Sequence, residues 1–542
     1  MWQYLGLLIG VVGILYAPSL NNGFLFEDQT VLQSFSEKGL KAGGREAVLA
    51  VSPEGYWRPV SRLSLQVQKG TGALPAPFPF RAVNGVLVVL VAVAAFGLMR
   101  QPALGIRRLA ACLAALLLVV HPVASAGMYR LVDGRDLLLA LLFGLGSVAL
   151  YLRGTGWGVA GATVCCALAL GSSEQALWIP LVLLAAEAVG LPGRDGNEQE
   201  FNQGPAHLTV VARPVRKFFS WLRMLPVLVV VVLYLVVRHG VLGGLQLDDA
   251  AEGRMPFFEW VYAWQVLAAP GREAVFQPPL SIWLAGWRFM AGAGLLGLIA
   301  VAAFLALRHS EATFPERKGL EVRRVAFWGA WLIATRLAVM GWLAPGPLFD
   351  EGQELAFSVA VWGVLAWSIS RFWSLEWVRR EGVVFAACVV LVLAAISMGR
   401  RVHCRDDETF TSHWARVNPE AWHGYARRAE IWQAGGRMEA ADRQVKRGLM
   451  LQPDAPELLR CQASIQEKSG RLDEALVTFQ KMAALNPTNW AIREKEADLT
   501  FTLGRFQEAR DLFLALADAL PEKVEIKTKL EAARKAELGA SP

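Results

Sequence analysis

The chain has 542 residues, 54% hydrophobic and only 19% charged, against about a quarter charged in soluble proteins. That balance excludes a chain made wholly for water. The formal net charge of +7 does not mark a nucleic-acid binder, because Lys and Arg fall mainly in short loops between apolar runs, not in one basic stripe. Charge is scarce up to about residue 400 and dense beyond it, so two regions face two solvents. Cys112, Cys165, Cys166 and Cys388 lie in apolar runs, where a thiol acts as a small hydrophobe. Cys404 and Cys461 lie in the polar tail, where pairing in an oxidising compartment is open but no spacing demands it. There is no CxxC, no zinc-ligand spacing and no DxD stretch, so no metal is expected.

The first residues, MWQYLGLLIGVVGILYAPSL, are long enough to span a bilayer. They lack a basic start and a small-x-small cleavage site, and so read as an uncleaved span. Further apolar runs follow near 84–99, 109–121, 137–151, 157–171, 175–190, 224–237, 283–307, 325–343, 356–370 and 383–398. With 3–20 these make eleven expected spans. WVYAWQVL, just before the 283–307 run, reads as an interfacial segment. With the N-terminus cytoplasmic, the inner loops carry seventeen Lys and Arg residues, among them Arg100, Arg107, Arg108, Arg153, Arg324 and Arg371. The short outer loops carry five: Arg130, Arg135, Arg238, Arg254 and Arg272. Positive charge stays inside, so this orientation is expected, and an odd span number puts the C-terminal region outside.

Polar residues in apolar surroundings then gather on the outer side. The first outer loop holds FLFEDQ, with Glu27 and Asp28, and GYWRPVSR, with Arg58 and Arg62. The second holds HPVASAGMYRLVDGRD, with His121, Arg130, Asp133, Arg135 and Asp136. The third, GSSEQ, holds Glu174. A charge near the bilayer is costly, up to roughly 2.5–3.5 kcal/mol at a helix centre, so several on one leaflet point to a polar cavity opening outward. Each also has a plainer reading. Glu27–Asp28 fits a solvated pair, Arg135–Asp136 a helix-capping pair and His121–Pro122 a span end. Glu174 at a helix start fits the helix dipole.

Beyond residue 400 the chain repeats. Pro419, Pro453, Pro487 and Pro521 recur every 34 residues, as do Gly436, Gly470 and Gly504. Ala429, Ala463 and Ala497 keep the same period, and so do Ala441, Ala475 and Ala509. This is the period of the tetratricopeptide repeat (TPR): small residues let two helices approach, Gly breaks between them and Pro follows the second. KVEIKTKLEAARKAEL reads as a polar capping helix. The expected organisation is all-α: a polytopic membrane domain over 1–400, a linker over 401–418 and a TPR array with its cap over 419–542. The array is expected to bind a peptide or protein, with a structural cap as the other reading.

The stretches NNGFLFED, YWRPVSRLS, FPFRAVN, LLLVVHPVASAGMYRLVDGRDLLLALLF, ALGSSEQALWIPLVLL and RRVHCRDDETFTSHWARVNPEAW carry a resemblance. Their order resembles the multi-span type-C (GT-C) glycosyltransferases with C-terminal TPRs. These are similar to the transmembrane-and-TPR O-mannosyltransferases and their bacterial relatives. The resemblance implies a bacterial inner-membrane enzyme that moves a sugar from a polyprenyl-phosphate carrier to a periplasmic acceptor, a protein hydroxyl. The lipid-phosphate sugar is its substrate, and no cofactor is implied. Asp28, with Glu27 beside it, takes the place of the general base. Arg58 and Arg135 are the candidates for the donor phosphate, and His121, Asp136 and Glu174 complete the donor-binding set. The sequence departs from the family at Arg81 and Val88, where the pattern has His, at Ala126, where it has Glu, and at Ser173, where it has Lys. Those departures motivate a rival from another class: a non-catalytic envelope assembly or scaffold protein working through its array. A transporter is disfavoured, since the sequence shows no inverted repeat and no charge pair at mid-membrane.

Overall fold

The computed structural model describes residues 2–25, 28, 31–32, 56–69, 76–192, 221–242, 256–268, 287–313, 318–339, 354–487, 489–520 and 522–540. Every regular element among them is helical. The chain divides into two compact units, Met1–Asp407 and Glu408–Pro542. The stretch 401–418, expected as a linker, holds the end of one helix and the whole of the next.

The first unit contains α1 (Trp2–Tyr16), α2 (Pro59–Lys69), α3 (Pro77–Met99), α4 (Arg108–Val120), α5 (Pro122–Tyr129), α6 (Leu131–Tyr151), α7 (Gly156–Leu170), α8 (Trp178–Ala188), α9 (Leu225–Leu242), α10 (Pro256–Ala268), α11 (Trp287–Thr313), α12 (Lys318–Val339), α13 (Leu355–Phe372) and α14 (Glu376–His403). Each expected apolar run overlaps one of them, with 283–286 and 340–343 outside the described residues. By length and apolarity six of these helices can cross a membrane, or seven if the bent pair α4–α5 counts as one crossing. That is fewer than the eleven expected, for physical reasons. The helix α7 has 15 residues and α8 has 11, short of the roughly 20 a bilayer requires. The helix α12 carries Glu321 in its first turn and Arg336 in its last, and α6 carries Asp133, Arg135 and Asp136 near its start.

Long-range hydrogen bonds sort the helix termini into two ends. At the first end, Gly23 N–H, just past α1, donates to Arg405 O at 2.7 Å. Asn22 Nδ2 donates to Cys404 O at 2.9 Å. The residues that follow α1 and α14 therefore lie side by side. Ser397 Oγ and Arg400 of α14 donate to Val120 O and Pro122 O, and Val60 N–H donates to Gly171 O past α7. Tyr234 of α9 stacks on Trp57. Trp331 of α12 donates to Ala356 O of α13. At the second end, Arg324 of α12 donates to Ala103 O, Arg371 of α13 to Gly105 O and Arg107 N–H to Ser370 Oγ. Tyr151 of α6 donates to Glu187 of α8. The rings of His309 in α11 and Phe372 in α13 meet there as well. Among the described helices, α4, α12 and α13 carry such bonds at both ends. The helix α10, which contains WVYAWQVL, stays at the first end. Its Trp260 and Trp264 pack edge-on against Phe357, near the start of α13.

The second unit holds α15 (Asp407–Val417, its first residue in the other unit), three hairpins and a final helix. The hairpins are α16 (Trp422–Ala434) with α17 (Met438–Leu451), α18 (Pro456–Lys468) with α19 (Leu472–Leu485), and α20 (Trp490–Thr502) with α21 (Phe506–Ala519). Gly436, Gly470 and Gly504 turn the chain at φ of 76°, 72° and 78°, a left-handed conformation that a side chain resists by roughly 1–2 kcal/mol. Ala429, Ala463 and Ala497, with Ala441, Ala475 and Ala509, are wholly buried between the paired helices. The closing helix α22 (Val524–Ala540) buries Ile526, Leu530 and Ala533 against Phe513 and Leu516. Pro521 lies outside the described residues. Cys404 and Cys461 are not joined in a disulfide, each being buried in its own unit, and burial pushes the Cys461 thiol up to about 12.

Candidate active site

The site is built on the first two turns of α6. The chain reaches it through the tight corner after α5, which Gly127 and Gly134 permit. A Cβ on Gly134 would lie 2.7 Å from the Gly127 carbonyl carbon, closer than real contacts allow. The opening N–H groups of a helix have no partner within it. Asp28 supplies one from outside. Its Oδ2 accepts from Leu131 N–H at 3.2 Å and its Oδ1 from Val132 N–H at 3.0 Å. Oδ2 also accepts from Leu25 N–H at 3.1 Å, which closes its own loop around it. A carboxylate offers about four acceptor sites, so these three bonds fix Asp28 and, among the described residues, leave one site on Oδ1. Burial lifts its carboxyl from 3.8 to about 6, against the pull of the Val132 and Leu25 N–H groups.

One turn further along α6, Asp136 meets Arg58. Arg58 Nη1 lies 2.7 Å from Asp136 Oδ2 and 3.9 Å from Asp133 Oδ1, and its Nε lies 2.9 Å from Glu174 Oε2. Glu174, at the short turn before α8, also accepts from Trp57 N–H at 3.1 Å. The Tyr56 ring covers the guanidinium at 4.1 Å. Burial opposes the charge on Arg58, but Glu174, Asp136 and Asp133 outweigh it and hold the group well above its ordinary range. Asp136 and Glu174 are 2% exposed, so this is one buried ion cluster joining α2, α6 and α8. Arg62, one turn past Arg58, is buried too and sits in the electrostatic field of Asp133 and Asp136.

Arg135 points the other way around α6. Its Nε donates to Asn84 Oδ1 at 2.5 Å, Nη1 to Ser64 Oγ at 3.0 Å, and Nη2 to Gln68 Oε1 at 2.9 Å and Phe80 O at 3.2 Å. Four of its five N–H groups thus serve protein partners. His121 lies apart from this group. Its Nδ1 accepts from Val123 N–H at 3.2 Å, so Nε2 carries the proton and donates to Leu267 O at 3.1 Å. Its ring faces Trp362 at 5.8 Å. Of the residues expected at the site, Asp28, Arg58, Arg135, Asp136 and Glu174 converge on the start of α6 and His121 does not. Glu27 lies outside the described residues.

Two buried arginines carry more than their sequence positions suggested. Arg81 sits where the family pattern has His. It donates to Asn22 O at 3.1 Å, to Met128 O at 2.6 Å and to Gly23 O, tying the Asp28 loop to the corner before α6. Arg336 forms a wholly buried pair with Glu354, 2.6 Å apart. The only signal for either was a lone charge in or beside an apolar run, which marks a polar lining more often than lipid contact.

Residues 468–532 match the tetratricopeptide repeat family. The hairpin that lies wholly within that stretch, α20–α21, is therefore a TPR, a module that generally mediates protein–protein contact. No curated protein matches the chain.

Proposed function

We propose that the chain is a membrane glycosyltransferase of GT-C type that transfers a sugar from a polyprenyl-phosphate carrier to an extracytoplasmic protein hydroxyl. The observation that carries this reading is Asp28: a fixed, buried carboxyl with one acceptor site open, next to a buried cluster of arginines and acids. In the step, the acceptor hydroxyl oxygen attacks the anomeric carbon while Asp28 Oδ1 takes its proton. The bond from the anomeric carbon to the phosphate oxygen breaks, and polyprenyl phosphate leaves with the electron pair. One displacement inverts the anomeric centre. Arg58, through its second terminal nitrogen, and Arg62 meet the donor phosphate as cations, while Arg135 holds α3 and α6 in register.

In this reading eleven helices of the first unit, α1, α3, α4, α6–α9 and α11–α14, cross a bacterial inner membrane, with the N-terminus cytoplasmic. The short helices α7 and α8 cross with the bilayer thinned around them. Support for the sidedness does not depend on counting. The residues after α1 and after α14 hydrogen-bond to each other, so a cytoplasmic N-terminus puts Asp28 and the root of the array on the same outer side. The array then holds the acceptor protein. The four N–H groups that Arg135 spends on protein partners favour the second reading, a non-catalytic scaffold with the array as its working part.

The test is sidedness of transfer. Spheroplasts with an accessible outer face should label added periplasmic acceptor from endogenous donor, and sealed inverted vesicles should not. Transfer confined to the inverted vesicles would refute the orientation. Labelling by neither, with the protein intact, would favour the scaffold.

A further inference from the structure

The helix α2 wears its polarity inward. Its buried side chains are Ser61, Arg62, Leu65 and Gln66, and all but one of these are polar. Ser64 Oγ and Gln68 Oε1 turn inward as well, to accept from Arg135 of α6 at 3.0 and 2.9 Å. The face that α2 leaves bare is aliphatic. Leu63 is 37% exposed and Val67 57%, one turn apart on the side opposite the polar residues. No other side chain of α2 is exposed. A helix at a water surface does the reverse, with apolar residues towards the core and polar ones outside.

The bare face continues onto α3. Leu65 packs with Phe80 in one buried cluster. Arg135 donates to Phe80 O and Asn84 of α3 as well as to Ser64 and Gln68 of α2. The two helices therefore lie side by side at the start of α6. Along α3, Phe78 is 50% exposed, Val86 59% and Leu90 43%. The helix α3 is long and apolar enough to cross a membrane, and those side chains meet lipid when it does. The helix α2 cannot cross. Its 11 residues reach about 16 Å, against a hydrocarbon core of about 30 Å. It is seated at the first end, where Val60 N–H donates to Gly171 O at 2.8 Å. A Cβ on Gly171 would lie 2.7 Å from Val60 Cγ2, so the seat is tight.

We propose that α2 is sunk in the leaflet at the first end of the bundle, with Leu63 and Val67 against lipid chains and its polar face against the start of α6. The occupant of the bare face is the hydrocarbon of the bilayer. That face is aliphatic, carries no charge and is continuous with the side of α3 that a membrane would cover. The consequence concerns depth. Arg58, Asp136 and Glu174 then sit level with lipid, and α2 is the wall between their ion cluster and the chains. Polar groups at that depth need partners within the protein, which is where Ser64, Gln68 and Arg62 of α2 are turned. The inference rests on the reading of the first unit as a membrane domain, and not on catalysis.

The test reads depth with a nitroxide, in full-length protein in nanodiscs of phosphatidylethanolamine and phosphatidylglycerol. Leu63→Cys and Val67→Cys are labelled one at a time in a Cys165→Ala/Cys388→Ala background, which removes the cysteines that are not buried. Oxygen concentrates in hydrocarbon, whereas the anion chromium oxalate is kept out of it. Leu90→Cys on α3 is the lipid reference, and Met450→Cys, 84% exposed in the repeat array, is the water reference. The ratio of oxygen to oxalate relaxation at 63 and 67 should exceed that at 450 about tenfold or more and approach that at 90. Water-like ratios at 63 and 67 with a lipid-like ratio at 90 overturn the placement of α2 and leave the membrane domain standing. Shielding of 63 and 67 from both reagents overturns it too, because protein then covers the face. A water-like ratio at 90 as well removes the membrane reading and this placement together. If a label unfolds the protein, a benzophenone amino acid at 67 reports the same face. Cross-linking to phospholipid upholds the proposal, and cross-linking to protein alone overturns it. Lipid-like ratios without any sugar transfer uphold the placement and count against the enzyme.

Discussion

Arg58→Met will destabilise the first unit by about 3–5 kcal/mol, the usual cost of leaving buried charges without their partner. Arg58 links Asp136 and Glu174, at 2.7 and 2.9 Å, and both acids are 2% exposed. Without it two carboxylates stay buried, the tie to the turn before α8 is lost, and α2 keeps only the Arg135 bonds of Ser64 and Gln68 to α6. Thermal unfolding in detergent, followed by tryptophan fluorescence, should show the loss. Adding Asp136→Asn and Glu174→Gln should recover much of it, because neutral amides remove the uncompensated charge. A single variant within about 0.5 kcal/mol of wild type, as for an ordinary surface change, would show that the cluster does not hold the helices together.

Transfer will rise with pH and level off near neutrality. Burial sets the Asp28 carboxyl at about 6 instead of 3.8, and a general base works only when ionised. Roughly a tenth is ionised at pH 5 and nine-tenths at pH 7, so the rate should climb about tenfold over that interval. Stability moves the opposite way. The folded state holds the Asp28 proton more tightly than the unfolded chain, so its contribution is greatest below 3.8 and falls as pH rises through about 6. Rate and unfolding profiles measured in one buffer series would separate the two. A rate already flat from pH 5 would remove Asp28 from the proton transfer.

The parts legible in the sequence were those with local causes. Apolar runs became helices because each is a continuous stretch with no other way to satisfy its backbone in an apolar setting. The hairpin turns were legible because Gly436, Gly470 and Gly504 hold a conformation that glycine adopts freely. The grouping of Asp28, Arg58, Asp136 and Glu174 was legible only as shared sidedness. Arg58 and Glu174 are 116 residues apart, and no periodicity encodes such a pair. Nor did the motif show that Arg135 would spend its donors on Asn84, Ser64 and Gln68, or that His121 would turn towards Leu267. Side-chain direction decides both, and two residues on one helix can serve opposite faces, as Arg135 and Asp136 do. By length and apolarity the structure offers fewer candidate spans than the sequence led us to expect, again for a physical reason. A helix such as α8 is apolar enough but too short at 11 residues, and apolarity is what the sequence displays.

The most direct test compares purified wild type with Asp28→Asn for transfer of radiolabel from polyprenyl-phosphate sugars to periplasmic protein. Asparagine keeps the size of the side chain and cannot take the proton, so transfer should fall about a hundredfold or more, in the range general-base catalysis supplies, with donor binding retained. Equal transfer by the two proteins would contradict the assignment of Asp28. No transfer by wild type from any donor in the series would contradict the enzyme itself.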